Sequence, residues 1–379
     1  MVNIVVMQLS SKTRPLNATE CKLATRLPSF DRFKTTAYTT EYGAAIFGDS
    51  EDLLRLVPDN SVDLIFTSPP FALRRKKRYG NETPDEYIAW FAKFAHHFHR
   101  VLKNSGSLVI EIGGSWNPGE PTKSLYHYRL LINLVDIIGF HLAQEVFWYN
   151  PARLPTPAQW VCRERVRLKD AVDMVWWLSK TPRPKADNRR VLTRYKANQQ
   201  ALINGTPYNA GLRPSEHLIS DKFGTDNGGA IPPNFLDDDV LGSLIGVQEN
   251  LIRAANTSST DRYLKGCKEI KAVLHPARIP ATLPDFFIRL LTEPGDLVLD
   301  PFAGSNVTGA VAEESGRNWL AMERDLDYLF ASQTRFVEDA TSLKHTFRMR
   351  RYEALKRLQV SGTKCLSCEG SKDLGTREI

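Results

Sequence analysis

The chain has 379 residues, of which 42% are hydrophobic and 25% are charged. These proportions are typical of a soluble globular enzyme that is long enough for one large domain and a smaller inserted part. No apolar run reaches the length of a membrane span, and the short segment 2–7 lacks the layout of a signal peptide. We therefore expect a cytoplasmic protein with no membrane partner.

The cysteines stand at five scattered positions, Cys21, Cys162, Cys267, Cys365 and Cys368. An odd number at irregular spacing argues against a disulfide framework and fits a reducing compartment. Cys365 and Cys368 form a single Cys-x-x-Cys pair, but zinc needs four ligands and neither a second pair nor a His-x-x-x-His accompanies them. We expect no metal and two free thiols in a polar tail.

The net charge is +7 and the pI is about 9.1, which alone does not identify a partner. The positive charge is concentrated in an unbroken basic run, Arg74, Arg75, Lys76, Lys77 and Arg78. Runs of this kind are usually solvated surface. This one lies next to a candidate active-site motif, which favours contact with phosphate groups.

Strand-like and helix-like segments alternate between residues 41 and 180, after an N-terminal extension (1–40) that has little periodicity. Predicted strands cover 44–47, 62–66, 107–112, 141–149 and 171–179. Predicted helices cover 51–57, 84–102 and 128–138. Such alternation predicts an α/β protein with a parallel, doubly wound sheet.

Residues 181–270 interrupt this pattern, because they are rich in Pro, Gly, Asn and charge. A loop-rich segment of this length inside an α/β protein is usually functional. The pattern resumes in 271–340, with a helix at 283–291, strands at 297–299 and 319–322, and a helix between them. The last part of the chain, 341–379, is predicted as a basic amphipathic helix followed by a polar tail.

The first motif with chemical content is 297–309, in which a strand leads through a turn of small residues into a helix. Such a turn brings backbone N–H groups close to a ligand at the carboxyl edge of a sheet, and it lacks the G-x-G-x-x-G of pyrophosphate cofactors. Glu323 follows the next strand, where an acid can accept both ribose hydroxyls. Asp300 at the strand end could face a cationic group. A nucleoside with a charged amino-acid end fits these features; an ordinary structural turn is the alternative.

The second motif is Ser68-Pro69-Pro70-Phe71, directly after the predicted strand 62–66. Consecutive prolines fix φ and leave carbonyls without competing local donors. Ser68 Oγ and the Pro69 carbonyl could accept both N–H bonds of an exocyclic amino group. Its nitrogen, otherwise a poor nucleophile because its lone pair is delocalised, could then attack a sulfonium methyl group. Phe71 offers a ring face on which an extruded base can stack.

The two motifs in this order resemble the amino-methylating DNA methyltransferases of the β class, in which the catalytic motif precedes the target-recognition region and the cofactor motif comes last. The similarity extends from about residue 42 to 332 and includes 71–81, 170–177, 226–229 and 275–278. The resemblance implies the S-adenosylmethionine-dependent methyltransferase fold, with a mostly parallel seven-stranded sheet. It also implies S-adenosylmethionine as cofactor, double-stranded DNA as partner and residues 181–270 as the target-recognition region.

The resemblance also assigns the site residues. Ser68, Pro69, Pro70 and Phe71 would be catalytic. In the cofactor site, Asp49 would bind the adenine amino group, Glu323 the ribose, and His275 would begin the element, up to Leu291, that closes the pocket. The methionine end would be lined by the turn residues Asp300, Phe302, Ala303, Gly304 and Ser305, with Ala303 at a position where close relatives often have Gly.

A Ser-Pro-Pro-Phe motif is typical of family members that modify cytosine N4. We therefore expect sequence-specific methylation of a flipped-out cytosine, in the modification enzyme of a restriction–modification system. The cognate endonuclease would be a functional partner, the enzyme a monomer or a dimer, and the bound state nucleoid-associated. Expected DNA contacts are the basic residues Arg74, Arg75, Lys76 and Lys77 and, within the recognition region, Arg213, Ser215 and His217.

Other activities remain open. Adenine N6 methylation uses the same fold, and only the serine at the head of the catalytic motif argues against it. An RNA or small-molecule substrate suits the long basic insertion less well. Cytosine C5 methylation is disfavoured because it needs a nucleophilic Cys beside a Pro, and none of the five cysteines follows a proline. A catalytically inactive, sequence-specific DNA-binding protein is the alternative outside enzymes.

Overall fold

The computed structural model describes residues 32–72, 82–207, 211–219, 221–246 and 261–343. The basic run 74–78, most of the N-terminal extension, Cys21, and the tail with Cys365 and Cys368 lie outside these residues. Within them, no helix has both the length and the apolar character that crossing a membrane requires. The same residues contain no group of three or more His, Cys, Asp or Glu side chains arranged to hold a metal ion.

The strands, numbered in chain order, are β1 (Thr36–Thr39), β2 (Gly43–Phe47), β3 (Val62–Thr67), β4 (Leu102–Ile112), β5 (His141–Tyr149), β6 (Val172–Ser179), β7 (Gly211–Leu212), β8 (Leu218–Ile219), β9 (Phe235–Leu236), β10 (Leu297–Asp300) and β11 (Asn318–Glu323). The α-helices are α1 (Ser50–Leu54), α2 (Tyr87–Val101), α3 (Tyr126–Asp136), α4 (Ala197–Ile203), α5 (Asp238–Gly242), α6 (Arg262–Ile270), α7 (Thr282–Leu291), α8 (Val307–Glu314) and α9 (Leu326–Ser332). Shorter turns of 3-10 or π type lie at Gln159–Arg163, Asn188–Val191, Asp221–Gly224 and Gln333–Arg335.

One sheet holds nine strands in the order β1-β2-β11-β10-β3-β4-β6-β5-β9. The five strands from β2 to β4 are parallel, whereas β6 runs antiparallel to both β4 and β5. The predicted doubly wound α/β fold is thus confirmed. The predicted count of seven strands holds for the run from β2 to β5, and the short strands β1 and β9 extend it at its edges.

The sheet is covered on both faces, which explains why its central strands are apolar. Every residue of β3 is buried, as expected for a parallel strand between two layers of helices. Alternate residues of β4 belong to different cores: Ile110 packs with Phe91 of α2, and Val109 packs with Phe287 of α7. In α2 the buried positions recur every three or four residues, so that one helix face meets the sheet.

The predicted N-terminal extension and the predicted loop-rich segment both contribute elements to the α/β domain. Strand β1 lies inside the predicted extension 1–40 but pairs with β2, so the sheet reaches back to Thr36. The loop-rich segment 181–270 supplies β9, which pairs with β5, and α6, which packs on α9 through Tyr263 and Cys267. Strands β1 and β9 are too short, and helix α6 is too isolated in the sequence, for hydrophobic periodicity to reveal them. The segment is therefore anchored to the α/β domain, and its hairpin β7–β8 stays outside the main sheet.

Candidate active site

A cavity of about 320 Å³ opens at the carboxyl edge of the sheet, where β3, β10 and β11 end. Its wall contains the segments 68–71, 275–279, 300–305 and 322–324, together with Glu111, Trp148, Asn150, Arg153 and Asp173. The two predicted motifs meet there because β3 and β10 are parallel neighbours whose carboxyl ends adjoin. A cavity of this size and position is typical of a ligand site.

Ser68 forms a hydrogen bond that the sequence did not predict. Its hydroxyl donates to Glu111 Oε2 at 2.5 Å, and Glu111 is almost completely buried at the end of β4. Burial raises the pKa of Glu111 to about 8, and the neighbouring Asp173 adds to the shift while Ser68 and Arg153 oppose it. Because the Ser68 proton points to Glu111, the oxygen lone pairs are free to accept from a ligand.

Phe71 packs where Gly113, just beyond β4, has no side chain. A Cβ at Gly113 would lie 2.5 Å from Phe71 Cε2 and 3.2 Å from Asp173 Oδ1. Any other residue would therefore displace the ring or the carboxylate. The ring of Phe71 and the carboxylate of Asp173 are consequently close neighbours in the cavity wall.

Asp173 is held by an ion pair with Arg153. Arg153 Nη1 donates to Asp173 Oδ1 at 2.7 Å, and Nη2 donates to Oδ2. Burial raises the pKa of Asp173, and the Arg153 charge opposes that shift. Sequence reasoning missed Glu111, Arg153 and Asp173; the signal for the two acids was a charged residue inside an otherwise apolar strand, whereas the loop around Arg153 gave none.

The cofactor-motif side of the cavity consists of the turn 300–305 and Glu323. There, Asp300 organises the turn after β10. Its carboxylate accepts hydrogen bonds from Thr67 Oγ1 (2.8 Å), Thr308 Oγ1 (2.7 Å) and the Phe302 backbone N–H (3.1 Å). Burial raises the pKa of Asp300 to about 6 despite these donors. The carboxylate thus joins the end of β3 to the turn, and its contact with a cationic ligand stays a prediction.

Glu323 lies at the end of β11, facing the same turn. Its Oε2 accepts from the Gly304 N–H at 2.8 Å and its Oε1 from the Asp325 N–H at 2.7 Å. Burial raises the pKa of Glu323 to about 7. Each carboxylate oxygen has a second lone pair, so the backbone fixes the group without using all of its capacity for a ligand hydroxyl.

His275 covers this turn from the opposite side. Gly304 has a φ of +51°, and a Cβ there would lie 2.9 Å from His275 Nε2. Burial lowers the pKa of His275 to about 4, so the imidazole is neutral at physiological pH. Its backbone N–H donates to Tyr263 Oη at 3.0 Å, which ties the segment 275–279 to α6.

The remaining turn residues are placed by packing. Phe302 contacts Phe94 of α2 at a ring-centroid distance of 5.0 Å. Ala303 is buried, and its backbone N–H donates to the Met322 carbonyl. Ser305 accepts from Arg335 through its carbonyl (2.7 Å) and its hydroxyl (3.1 Å). All three line the cavity, but the Ser305 hydroxyl is engaged with protein.

Asp49 lies outside the wall of the cavity, although it was predicted to bind the cofactor. Its exposed carboxylate caps α1 by accepting from the Glu51 N–H at 2.9 Å. The next residue, Ser50, lines the cavity and donates to the Pro301 carbonyl. A short polar residue before a helix serves as a cap in many proteins, and this is the role that the structure gives Asp49.

The predicted DNA-contacting residues of the insertion cluster at the tip of the β7–β8 hairpin, away from the cavity wall. The Arg213 N–H donates to the His217 carbonyl at 2.9 Å, and His217 Nδ1 lies 2.8 Å from the Ser215 carbonyl. Ser215 and His217 are exposed. The other predicted contacts, residues 74–77, lie outside the described part of the chain.

Comparisons with known proteins identify the class to which this site belongs. The family model described as DNA methylase (N6_N4_Mtase) matches residues 62–334, and the chain belongs to that family. Type II methyltransferase M.PvuII of Proteus hauseri is 45% identical over 311 residues, which cover 82% of this chain and 88% of M.PvuII. The family resemblance predicted from the motifs is thereby confirmed.

One similar solved structure and one more distant relative complete the comparison. The structure of the PvuII DNA methyltransferase (cytosine-N4-specific) matches with a TM-score of 0.63 and 39% identity, over 82% of this chain and 94% of the other. DNA adenine methyltransferase YhdJ of Escherichia coli (strain K12) is 25% identical over 305 residues, covering 78% of this chain and 82% of YhdJ. Relatives of this chain therefore include both cytosine and adenine enzymes.

Proposed function

We propose that this protein transfers the methyl group of S-adenosylmethionine to the exocyclic N4 amino group of a cytosine flipped out of double-stranded DNA. The observation that carries the proposal is one cavity whose wall contains both Ser68, hydrogen-bonded to Glu111, and the turn held by Glu323. Cytosine is favoured over adenine by the 45% identity to M.PvuII and by the similar structure described as cytosine-N4-specific.

The cofactor-motif side of the cavity suits a nucleoside that carries an amino acid. Glu323 can accept from ribose hydroxyls, and His275 and the segment after it can cover the ligand. Ser50 rather than Asp49 stands at the wall next to this site. When bound, S-adenosylmethionine supplies an electrophilic methyl group on a sulfonium centre.

The residues on the catalytic side of the cavity, which holds Ser68 and Glu111, would activate the amino group of the cytosine. Its two N–H groups can donate hydrogen bonds to Ser68 Oγ and the Pro69 carbonyl. These bonds favour a tetrahedral nitrogen with an available lone pair. As the N–CH₃ bond forms and the methyl–sulfur bond breaks, the nitrogen becomes positive and must lose a proton. Ser68 can pass that proton to Glu111, whose pKa of about 8 is close to the working pH.

DNA contacts belong to the insertion and to the basic run. We assign target recognition to 181–270, with Arg213, Ser215 and His217 on its exposed hairpin, and phosphate binding to residues 74–77. The two halves of the catalytic domain are then 36–180 and 271–340, and 341–379 is a separate tail. A restriction endonuclease of the same site specificity would be a functional, not a physical, partner of such an enzyme.

Incubation with tritium-labelled S-adenosylmethionine and plasmid DNA, followed by digestion to nucleosides, tests the proposal. Label in N4-methylcytosine is the expected result. Label in N6-methyladenine would overturn the choice of base and favour the adenine alternative. Absence of label, with DNA binding retained, would favour an inactive DNA-binding protein. The Ser68→Ala variant is the matched control for label that does not depend on this site.

A further inference from the structure

The cavity wall contains a charged pair that the proposed methyl transfer does not use. Asp173 is 1% exposed and Arg153 is 29% exposed, and the two share a bidentate hydrogen bond. A buried ion pair is weak evidence for stability, because removing two charges from water offsets their attraction. Its position in the cavity wall suggests instead that it serves a ligand.

The fold puts this pair beside the catalytic motif. In the antiparallel β4–β6 pairing, Glu111 is opposite Val175. Because side chains alternate along a strand, Asp173 lies on the same face of the sheet as Glu111, one diagonal step away. At Gly113, the missing side chain allows Phe71 and Asp173 to approach the same point. A base stacked on Phe71 with its amino group on Ser68 would therefore have the ion pair next to its edge.

Asp173 fixes the direction in which Arg153 can donate. Among the residues that the structure describes, the guanidinium of Arg153 donates only to Asp173. A guanidinium has five N–H groups in a planar fork, so three remain. Since Asp173 spans the two terminal nitrogens, the remaining groups lie along the sides of the plane, where Nε–H and one Nη–H point in parallel. Such a pair of donors matches two adjacent acceptors.

We propose that Arg153, oriented by Asp173, selects cytosine by donating to N3 and O2 of the flipped base. The inference rests on the proposed function and names the residue that sets its base specificity. Cytosine has its amino group, N3 and O2 in a row, so a base with N4 on Ser68 presents two acceptors to Arg153. Adenine with N6 on Ser68 presents one acceptor, N1, followed by a C–H group. One N–H of the half-buried guanidinium would then lose its partner, which disfavours adenine.

The test uses duplexes that carry the methylated site of the wild-type protein. The target position holds either cytosine or a 2-aminopyridine C-nucleoside, which keeps the ring nitrogen and amino group but lacks O2. Single-turnover rates are compared for the wild type and for Arg153→Lys, which keeps a positive charge beside Asp173 but has no fork. We expect the cytosine-to-analogue rate ratio to fall on the order of 10- to 100-fold in the variant, the discrimination that one bidentate contact supplies.

Two further variants distinguish an effect on base selection from a general effect of losing a positive charge. Arg163→Gln removes a charge from an exposed arginine of the same loop and should keep the wild-type ratio, even if it weakens DNA binding. The double variant Arg153→Gln/Asp173→Asn neutralises the pair and should give the low ratio of Arg153→Lys, with unchanged affinity for S-adenosylmethionine. A ratio in Arg153→Lys equal to that of the wild type would overturn the inference.

The failure of this inference can be distinguished from that of the proposed function. A wild-type protein that forms N4-methylcytosine but methylates both duplexes with no penalty for the missing O2 overturns the role of Arg153 alone. That comparison needs no variant, so it holds even where a substitution prevents folding. A wild-type protein that forms no N4-methylcytosine overturns the proposed function itself.

Discussion

The two sides of the cavity are built in different ways. On the cofactor-motif side, most polar groups come from one continuous stretch and the next strand. Backbone N–H groups hold the carboxylate of Glu323 and contribute to holding that of Asp300, which Thr67 of β3 also binds. On the catalytic side, Glu111, Arg153 and Asp173 come from three separate parts of the sheet and its loops. Local geometry thus forms most of one side, whereas the strand order assembles the other.

The difference also concerns charge. Glu323 is fixed by backbone groups that cannot titrate, whereas Glu111 and Asp173 are two buried acids on one face of the sheet whose raised pKa values the Arg153 charge opposes. Substitutions on the two sides of the cavity should therefore impair different steps of the reaction. Those on the cofactor-motif side should weaken cofactor binding, and those on the catalytic side should slow the chemical step.

The largest effect is expected from substitution of Glu111, the proposed acceptor of the proton that the amino group loses. Glu111→Gln should lower the single-turnover methylation rate about 10²- to 10⁴-fold, the usual contribution of a general base, while the affinity for S-adenosylmethionine stays near that of the wild type. Ser68→Ala should show the same pattern. Glu313→Gln is a matched control, since Glu313 also accepts from a hydroxyl, that of Thr40, but is absent from the cavity wall. A large loss of cofactor affinity in Glu111→Gln would erase the distinction between the two sides.

The reverse pattern is expected for Glu323→Gln. An amide keeps one acceptor oxygen and would turn its NH₂ group towards a backbone N–H, either that of Gly304 or that of Asp325. The dissociation constant for S-adenosylmethionine, measured by calorimetry, should rise roughly 10- to 100-fold, as for the loss of 1–3 kcal/mol of hydrogen bonding. At saturating cofactor the methylation rate should recover most of its wild-type value. A rate that stays low at saturation would place Glu323 in the chemical step.

The same contrast explains how far the sequence could predict the site. The turn after Asp300 and the Ser68–Phe71 motif are each continuous, so their position at strand ends follows from the pattern alone. Glu111 and Asp173 are charged residues within apolar strands, a visible signal, but their partnership depends on β6 lying beside β4, which no local pattern specifies. Asp49 caps α1, and its contact with the cofactor stays a prediction, since a helix cap and a ligand-binding acid look alike in sequence.

A smaller effect is expected for pH. If ionised Glu111 receives the proton, the methylation rate should rise with pH through about 8, because an acid with that pKa is mostly protonated at pH 7. The rise from pH 7 to pH 9 should be roughly 10-fold, the change in the ionised fraction. The measurement is a pH profile of the single-turnover rate at saturating DNA and cofactor. Glu111→Gln should give a flat profile, and a sloping one would mean that another group titrates.

The smallest effect is expected on thermal stability. It would show that burying Glu111 on the catalytic side destabilises the folded protein. The folded-state pKa of Glu111, about 8, lies above that of an unfolded glutamate, so the unfolded chain releases this proton first as pH rises. The wild type should therefore lose stability between about pH 4.3 and pH 8, whereas glutamine cannot ionise. Thermal melts should give Glu111→Gln a midpoint above that of the wild type at pH 8.5, and the difference should shrink as pH falls towards 4, where Glu111 is protonated in both the folded and the unfolded chain. Equal midpoints at both pH values would mean that Glu111 is ionised at little cost, and the proton acceptor would then have to be sought elsewhere in the cavity.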